Sequence, residues 1–265
     1  MDYMLYLGLG AVAGLLGGLF GMGGGAIIVP MLIFAFGMQG ISPQVATHMA
    51  VATSLATIVL TSIPSIYTHT QKNAVRWDLV RWITPGIILG TLLGGLIALA
   101  LSGTDLQLLL GCFLIVVGLQ MLISLPQGQF RHQLRQPDLV LAGGGIGGLS
   151  TVFGIGGGSL TIPFLRYFGV GMHQAVGSSA ACGFFIALFS TLLYSLSSSD
   201  TGHLPAATLG YIFIPAWLGI ILTSVPFARI GALVAHRLNE RLLSHLFGGL
   251  LIGVGTRFIW INLIQ

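Results

Sequence analysis

Charged side chains are scarce in this sequence. Only 6% of its 265 residues are Asp, Glu, Lys or Arg, whereas 55% are hydrophobic, and the mean hydropathy is +0.97. A soluble domain has about a quarter of its residues charged. The shortage of charge therefore excludes a soluble globular protein and predicts one that lies within a membrane.

Acidic residues and cysteines are the rarest of the chemically active side chains. The chain has two cysteines, Cys112 and Cys182, both inside apolar segments, which argues against a disulfide framework or a cysteine metal site. The six acids fall in loops or at the ends of apolar segments: Asp2, Asp78, Asp105, Asp138, Asp200 and Glu240. Cation transporters and pumps usually need a carboxylate inside the membrane. The sequence therefore favours an anion as the substrate and predicts no metal and no cofactor.

Long apolar segments fill most of the chain. A helix needs about 20 apolar residues to span a membrane, whereas barrel strands alternate over about 10 residues. The segments are 4–36, 44–67, 79–101, 105–125, 139–169, 174–197, 205–228 and 239–263. The sequence thus predicts an all-α polytopic membrane protein, with the bilayer as one partner and no nucleic-acid partner.

One glycine-rich motif occurs twice. GLLGGLFGMGGGAIIVPML begins at Gly14, and GGLSTVFGIGGGSLTIPFL begins at Gly147, so that Gly21 matches Gly154, 154 − 21 = 133 positions later. In each half the motif segment is followed by three ordinary spans. The chain therefore reads as a first repeat, 1–125, a linker, 126–137, and a second repeat, 138–265.

Positive charges in the loops predict that the two repeats are inverted. Lys72, Arg76 and Arg81 follow the second segment of the first half, whereas the equivalent loop of the second half has no Lys or Arg. After the third segment the bias reverses, with Arg229, Arg237 and Arg241 in the second half. Because Lys and Arg mark the cytoplasmic side, we expect linker 126–137 to be cytoplasmic and both termini to be periplasmic. Arg257, near an external end, runs against this rule, and a parallel arrangement of fully crossing segments is the alternative.

Inverted repeats require an odd number of crossings in each half. Residues 4–20 and 26–36 would form helices of about 25 and 16 Å, and the second is too short for a hydrocarbon core of about 30 Å. Each half is therefore predicted to be a glycine-broken re-entrant hairpin plus three transmembrane helices. We call residues 21–26 the first tip and residues 154–159 the second tip.

The two tips are the predicted substrate site. Irregular backbone inside a membrane is tolerated where it is packed in protein or lines a watery cavity, and glycines let a ligand approach the main chain. Each tip opens a short helix, whose free N–H groups and positive dipole end attract an anion. The backbone candidates are Gly23, Gly24, Gly25, Ala26, Gly156, Gly157, Gly158 and Ser159. Close helix packing is the alternative use of these glycines.

Side chains from the following span of each half could complete the site. The pairs Thr53-Ser54 and Ser178-Ser179 recur at matching places and could donate hydrogen bonds to oxyanion oxygens. Such hydroxyls also commonly bond a carbonyl of their own helix, and His48 could equally be a ligand contact or a satisfied histidine at a helix end.

At these motifs the chain resembles the sulfite exporter TauE/SafE family. The resemblance rests on GLFGMGGGAIIVP, TVFGIGGGSLTIP, HMAVATSLATIVLTSIPSIYTHTQKNAVRWD and AVGSSAACG, and it covers nearly the whole chain. Ala52 stands where family members commonly have Gly, and Ser178 where they commonly have Thr. The resemblance implies transport of small sulfur-containing anions, such as sulfite or sulfonates, across a bacterial inner membrane.

The expected function is a secondary transporter or facilitator of a small sulfur-containing anion, working by alternating access around the tips. An anion channel with the same dipole-lined pore is the first alternative. An intramembrane enzyme is disfavoured because the chain has no His-Glu-x-x-His and no pair of intramembrane acids. A purely structural membrane subunit would leave the broken helices without a purpose.

Overall fold

The computed structural model describes residues 3–20, 24–122, 135–197, 204–235 and 240–264, which form ten α-helices. The first five are α1 (Tyr3–Phe20), α2 (Gly25–Met38), α3 (Pro43–Gln71), α4 (Trp77–Ala100) and α5 (Gly103–Leu122). The second five are α6 (Gln136–Phe153), α7 (Gly158–Tyr167), α8 (Met172–Leu196), α9 (Ile214–Ala235) and α10 (Glu240–Ile264). Most of the predicted linker and the first three residues of the first tip, including Gly23, lie outside the described residues.

The described residues form an all-α multi-pass membrane protein. Helices α3, α4, α5 and α8 are long and apolar enough to cross a membrane, and several shorter apolar helices accompany them. Large apolar side chains such as Leu93, Leu96 and Val116 face outwards. In water such a surface would be unfavourable, whereas in a bilayer it contacts lipid.

One predicted segment begins too early. The segment 205–228 was expected to be helical from its start, but α9 begins at Ile214, 214 − 205 = 9 residues later. The intervening chain forms an antiparallel ribbon of β1 (Thr208–Leu209) and β2 (Ile212–Phe213), in which Thr208 pairs with Phe213. Gly210 turns this ribbon with φ +54°, a left-handed backbone that favours glycine.

The helices pack in pairs that match between the two halves of the chain. Helix α1 packs on α9, α4 on α6, α5 on α10, and α3 on α8. Each helix of the first five has a counterpart five positions later in the chain, such as α6 for α1. Exchanging every helix with its counterpart gives the same four pairs. The packing thus has the pattern expected of two similar halves.

The direction of the paired helices differs between the pairs. Helices α4 and α6 run parallel, because Gly86 lies against Val140 and Gly94 lies against Gly148. Helices α5 and α10 run antiparallel, since Gly111 faces Gly255 whereas Gly118 faces Gly248. Helix α8 also begins where α3 ends, with Gly177 against His69.

Glycines allow α4 and α6 to approach each other closely. Gly86, Gly90 and Gly94 recur every four residues, so they share one face of α4. A Cβ added to any of them would overlap the backbone of α6. Small residues at such a contact let two helix backbones meet within a membrane. This packing fixes α6, and with it the start of the second tip.

Candidate functional site

The two glycine tips lie against each other. Gly24 has φ +38° and immediately precedes α2, while Gly154 and Gly157 have φ +70° and +72° on either side of the second break. A Cβ added to Gly25 would lie 3.0 Å from the Gly154 carbonyl oxygen and 3.0 Å from the Ile155 Cα atom. Any side chain at residue 25 would therefore push the tips apart.

The tips lie against inner turns of two long helices. A Cβ on Gly154 would be 3.0 Å from the Cα atom of Val51, and the Gly156 carbonyl lies against Gly183. Gly183 lies at the middle of α8, and Val51 lies about a third of the way along α3. The structure thus brings both backbone breaks together, deep between the two helices that follow the hairpins.

Ser54 holds the second tip in place. Its hydroxyl donates a hydrogen bond of 2.9 Å to the carbonyl oxygen of Gly154, and its side chain is fully buried. This contact joins the middle of α3 to the break between α6 and α7. The predicted site residue Ser54 therefore does lie at the tips, where it positions the backbone.

Three hydroxyl oxygens around the second tip are buried and form no hydrogen bond: those of Ser150, Ser159 and Thr161. A Cβ added to Gly157 would lie 3.4 Å from the hydroxyl oxygens of both Ser150 and Thr161, so these two side chains flank one point. Leaving a buried hydroxyl unpaired costs about 1–3 kcal/mol. The same point lies 2.5 Å from the Cδ1 atom of Ile186, so a bound hydrogen-bond acceptor would remove that cost only after the Ile186 side chain moves.

Backbone donors add to the hydroxyls. The Gly157 carbonyl accepts the first helical hydrogen bonds of α7, from the N–H groups of Leu160 (3.1 Å) and Thr161 (2.7 Å). The N–H groups of Gly158 and Ser159 come before these bonds and find no backbone acceptor in the described part of the chain. The second tip thus offers N–H and O–H donors at the positive end of a helix dipole.

The first tip has no such hydroxyls. With the repeat offset of 133, Ser150, Ser159 and Thr161 correspond to Gly17, Ala26 and Ile28. The two tips match in backbone but not in side-chain chemistry. The repeated motif predicts a symmetric site. These three hydroxyl side chains, however, have counterparts without a hydroxyl in the first half.

Sequence reasoning included Ser159 but missed Ser150 and Thr161. Both lie inside the quoted second motif, and the signal was available in an alignment of the two halves. Each is a hydroxyl residue where the first half has an apolar one or a glycine. What the sequence could not supply was the fold of the break, which turns both side chains towards Gly157.

Thr53 and Ser178 serve the starts of two other helices. The Thr53 hydroxyl accepts the N–H of Phe213 at 3.0 Å, and the Ser178 hydroxyl accepts the N–H of Arg76 at 2.9 Å. Phe213 and Arg76 directly precede α9 and α4. Each hydroxyl therefore fixes an equivalent connection in the other half of the chain, and neither hydrogen bond involves a tip. Ser179 is buried beside Ser178.

His48 joins two helices. It is only 4% exposed, and its ring nitrogens lie 3.1 Å from the Gln44 carbonyl oxygen and 2.9 Å from the Ala98 carbonyl oxygen. Its ring also packs against Tyr211, with 5.3 Å between the ring centres. This geometry favours a structural histidine at the last turn of α4, one of the two roles that the sequence left open.

The whole chain can be compared with known proteins. Residues 6–258 match the family model described as sulfite exporter TauE/SafE. The chain belongs to the sulfite exporter TauE/SafE family. The resemblance drawn from the two glycine motifs is therefore confirmed.

Several relatives of this TauE/SafE protein match over nearly their full length. A "Probable membrane transporter protein" of Haemophilus influenzae is 34% identical over 95% of this chain and 96% of its own. A "Probable membrane transporter protein MJ0441" of Methanocaldococcus jannaschii is 29% identical over 94% of each chain. YunE of Bacillus subtilis, with the same kind of name, is 23% identical over 98% of each. No solved structure matches this TauE/SafE chain.

Proposed function

We propose that the protein is a secondary transporter or facilitator of a small sulfur-containing oxyanion across a bacterial inner membrane. The observation that carries the proposal is the group of unpaired donors at the second tip, with the hydroxyls of Ser150 and Thr161 flanking Gly157. The family description names sulfite, and the relatives are named as membrane transporters.

The chemistry of the tips suits an anion held without a full positive charge. Sulfite and sulfonate oxygens accept hydrogen bonds, and the second tip offers both O–H and N–H donors. No Asp or Glu is among the buried polar side chains of the described residues, so no carboxylate there competes with an anion. Neutral donors and a helix dipole attract an anion weakly enough for it to leave on the other side.

Burial of the tips favours a transporter over an open channel. Ser54, Ser150 and Thr161 are fully buried, so a hydrated anion reaches them only after neighbouring helices move. Alternating access provides such a movement, in which the two halves tilt in turn around a fixed central site.

The proposed arrangement has inverted repeats, 1–125 and 138–265, with linker 126–137 in the cytoplasm and both termini in the periplasm. The antiparallel course of α5 and α10, which are counterparts, supports inversion. A two-fold axis that exchanges antiparallel helices is perpendicular to them. For helices that cross a membrane, such an axis lies in the membrane plane, as in inverted repeats.

Flux into proteoliposomes tests the proposal. The purified protein would be reconstituted and supplied with labelled sulfite, thiosulfate, sulfoacetate, sulfate, acetate or chloride, with and without a pH gradient. We expect saturable uptake of one sulfur oxyanion, absent from protein-free liposomes. Chloride passing as freely as the other anions would favour the channel, and no movement of any sulfur oxyanion would contradict the proposed cargo.

A further inference from the structure

A cavity with a mostly apolar wall lies at one end of the helices, away from the tips. Its volume is about 320 Å³, and it lies between the end of α2, the start of α3, the start of α5 and the end of α10. Its wall is mostly apolar and includes Ile33, Phe34, Met38 and Ile41. At about 30 Å³ for each water in the liquid, this is the space of roughly ten waters.

Arg257 supplies a positive charge to this cavity. Its guanidinium lies 5.1 Å from the centre of the Phe34 ring, and it forms no ion pair with any carboxylate of the described residues. Arg257 is an exposed residue, and its side chain borders the cavity. An Arg without a carboxylate keeps its planar set of donors available for an oxyanion.

Gln107 adds an unpaired amide to the same wall. It is 7% exposed, and no hydrogen bond joins its side chain to any other described residue. The Gln107 side chain lines the cavity, so its amide is available to a ligand there. Helix α3 also begins in this wall, with Pro43, Ala46 and Thr47, so its positive dipole end faces the cavity.

We propose that this cavity binds an organic oxyanion, a short-chain sulfonate or carboxylate. Its acidic head contacts Arg257 and Gln107, and its apolar part lies against Ile33, Phe34 and Met38. The volume of about 320 Å³ holds one such molecule, and the proposed occupant is a free anion.

The cavity is a second site rather than part of the first. Thr47 in the cavity wall and Ser54 at the tips are separated by 54 − 47 = 7 residues of α3, a rise of about 10 Å. None of the cavity residues belongs to a tip. On the proposed topology the cavity faces the periplasm, where it would hold an organic anion beside the transport path. The binding itself stands independently of the proposed central site.

Calorimetric titration of the purified, full-length protein with 1-butanesulfonate tests this site. We expect Arg257→Gln to weaken binding by about tenfold or more, because a charge-assisted hydrogen bond is lost. The matched control is Arg229→Gln, which removes an equal charge from an exposed position on α9 and should leave binding unchanged. Sulfate, which lacks an apolar part, should bind more weakly than butanesulfonate.

A tip variant separates this site from the central one. Gly157→Val should retain butanesulfonate binding, and adding Arg257→Gln to it should weaken that binding as much as Arg257→Gln does alone. If Arg257→Gln does not fold, Gln107→Leu is used instead and should also weaken binding.

Three results would overturn the proposal: no binding by the wild type, equal binding after Arg257→Gln, or loss of binding in Gly157→Val alone. Native mass spectrometry adds a fourth. A phospholipid that is retained by the wild type and lost after Arg257→Gln would mean that the occupant is a lipid.

Discussion

At the scale of single residues, the second tip is notable because three buried hydroxyls without a partner among the described residues, those of Ser150, Ser159 and Thr161, occur there together. Most hydroxyls in the long helices are paired. The Thr57 hydroxyl, for example, donates to the Thr53 carbonyl at 2.8 Å. The hydroxyls of Ser150 and Thr161 have no such partner. Hydroxyls elsewhere in the described residues, such as those of Thr91 and Tyr194, are also buried and unpaired, so it is the grouping of three at one backbone break that supports the proposed binding site.

Removing these hydroxyls should separate transport from stability. We expect Thr161→Val and Ser150→Ala to lower oxyanion flux by about tenfold each, since a hydrogen bond to a charged ligand is lost. The thermal midpoint of unfolding should stay the same or rise, because the hydroxyls have no partner in the folded protein. Flux assays and melting curves on the same preparations check this.

The control is Thr57→Val, which removes a paired hydroxyl at a fully buried position of α3. It should lower the melting temperature slightly and leave flux close to the wild type. A clear loss of stability in Thr161→Val, without loss of flux, would contradict the assignment of Thr161 to the ligand.

Ser54 should behave in the opposite way. Ser54→Ala removes the hydrogen bond to the Gly154 carbonyl, which should cost about 1 kcal/mol of stability. The second tip would then lose a fixed contact, so flux should fall together with the melting temperature. Thr61→Ala removes only a hydroxyl that bonds to its own helix, and it should change neither measurement. Equal melting temperatures for the two variants would contradict this role of Ser54.

At the scale of helices, the contact between α4 and α6 depends on which glycine faces the partner backbone. A Cβ on Gly90 would overlap the Gly144 carbonyl, whereas a Cβ on Gly144 would be 3.8 Å from its nearest neighbour, the Gly86 carbonyl oxygen. We expect Gly90→Ala to destabilise the protein by about 1–3 kcal/mol, and Gly144→Ala to be tolerated. Thermal unfolding of the two variants provides the test. The same melting temperature for both would contradict the packing described here.

Sequence reasoning predicted most of the helices but not every boundary. The breaks after Phe20 and Phe153 were visible because three consecutive glycines interrupt an otherwise helical pattern. The ribbon before α9 was missed because Leu209, Tyr211 and Ile212 are as apolar as a helical segment. Its strands are only two residues long, too short for an alternating pattern to appear.

The roles of Thr53 and Ser178 could not be predicted for a different reason. Their partners are 160 and 102 residues away in the chain, and both partners are backbone groups. No side-chain pattern in a sequence identifies such a partner. Thr53 and Ser178 recur because each accepts the N–H group of the residue that precedes a helix. This connection occurs twice in the fold.

At the scale of the whole molecule, the proposed repeats make α5 and α10 counterparts, and these two helices run antiparallel. Inverted repeats predict that equivalent loops lie on opposite sides of the membrane. In a background with Cys112 and Cys182 replaced by alanine, Gln71→Cys should react only with reagents that reach the cytoplasm. Ala206→Cys should react with an impermeant maleimide added to intact cells.

Gln71 and Ala206 are both exposed, and each lies in or next to the loop whose side of the membrane it reports. Labelling of both cysteines from the same side would contradict inversion and favour the parallel arrangement. Transport by the cysteine-free protein serves as the control that its topology is native.

The central claim is that a small oxyanion crosses the membrane at the two glycine tips. Sulfite flux through proteoliposomes that contain Gly157→Val tests it most directly. Gly157 has φ +72° and lies between two unpaired hydroxyls, so a valine there would fill the site. Gly145→Val is the matched control, since a Cβ at Gly145 meets nothing within 4 Å. We predict that Gly157→Val abolishes flux while the protein still inserts into membranes, and that Gly145→Val transports as the wild type does. Wild-type flux through Gly157→Val would contradict the account.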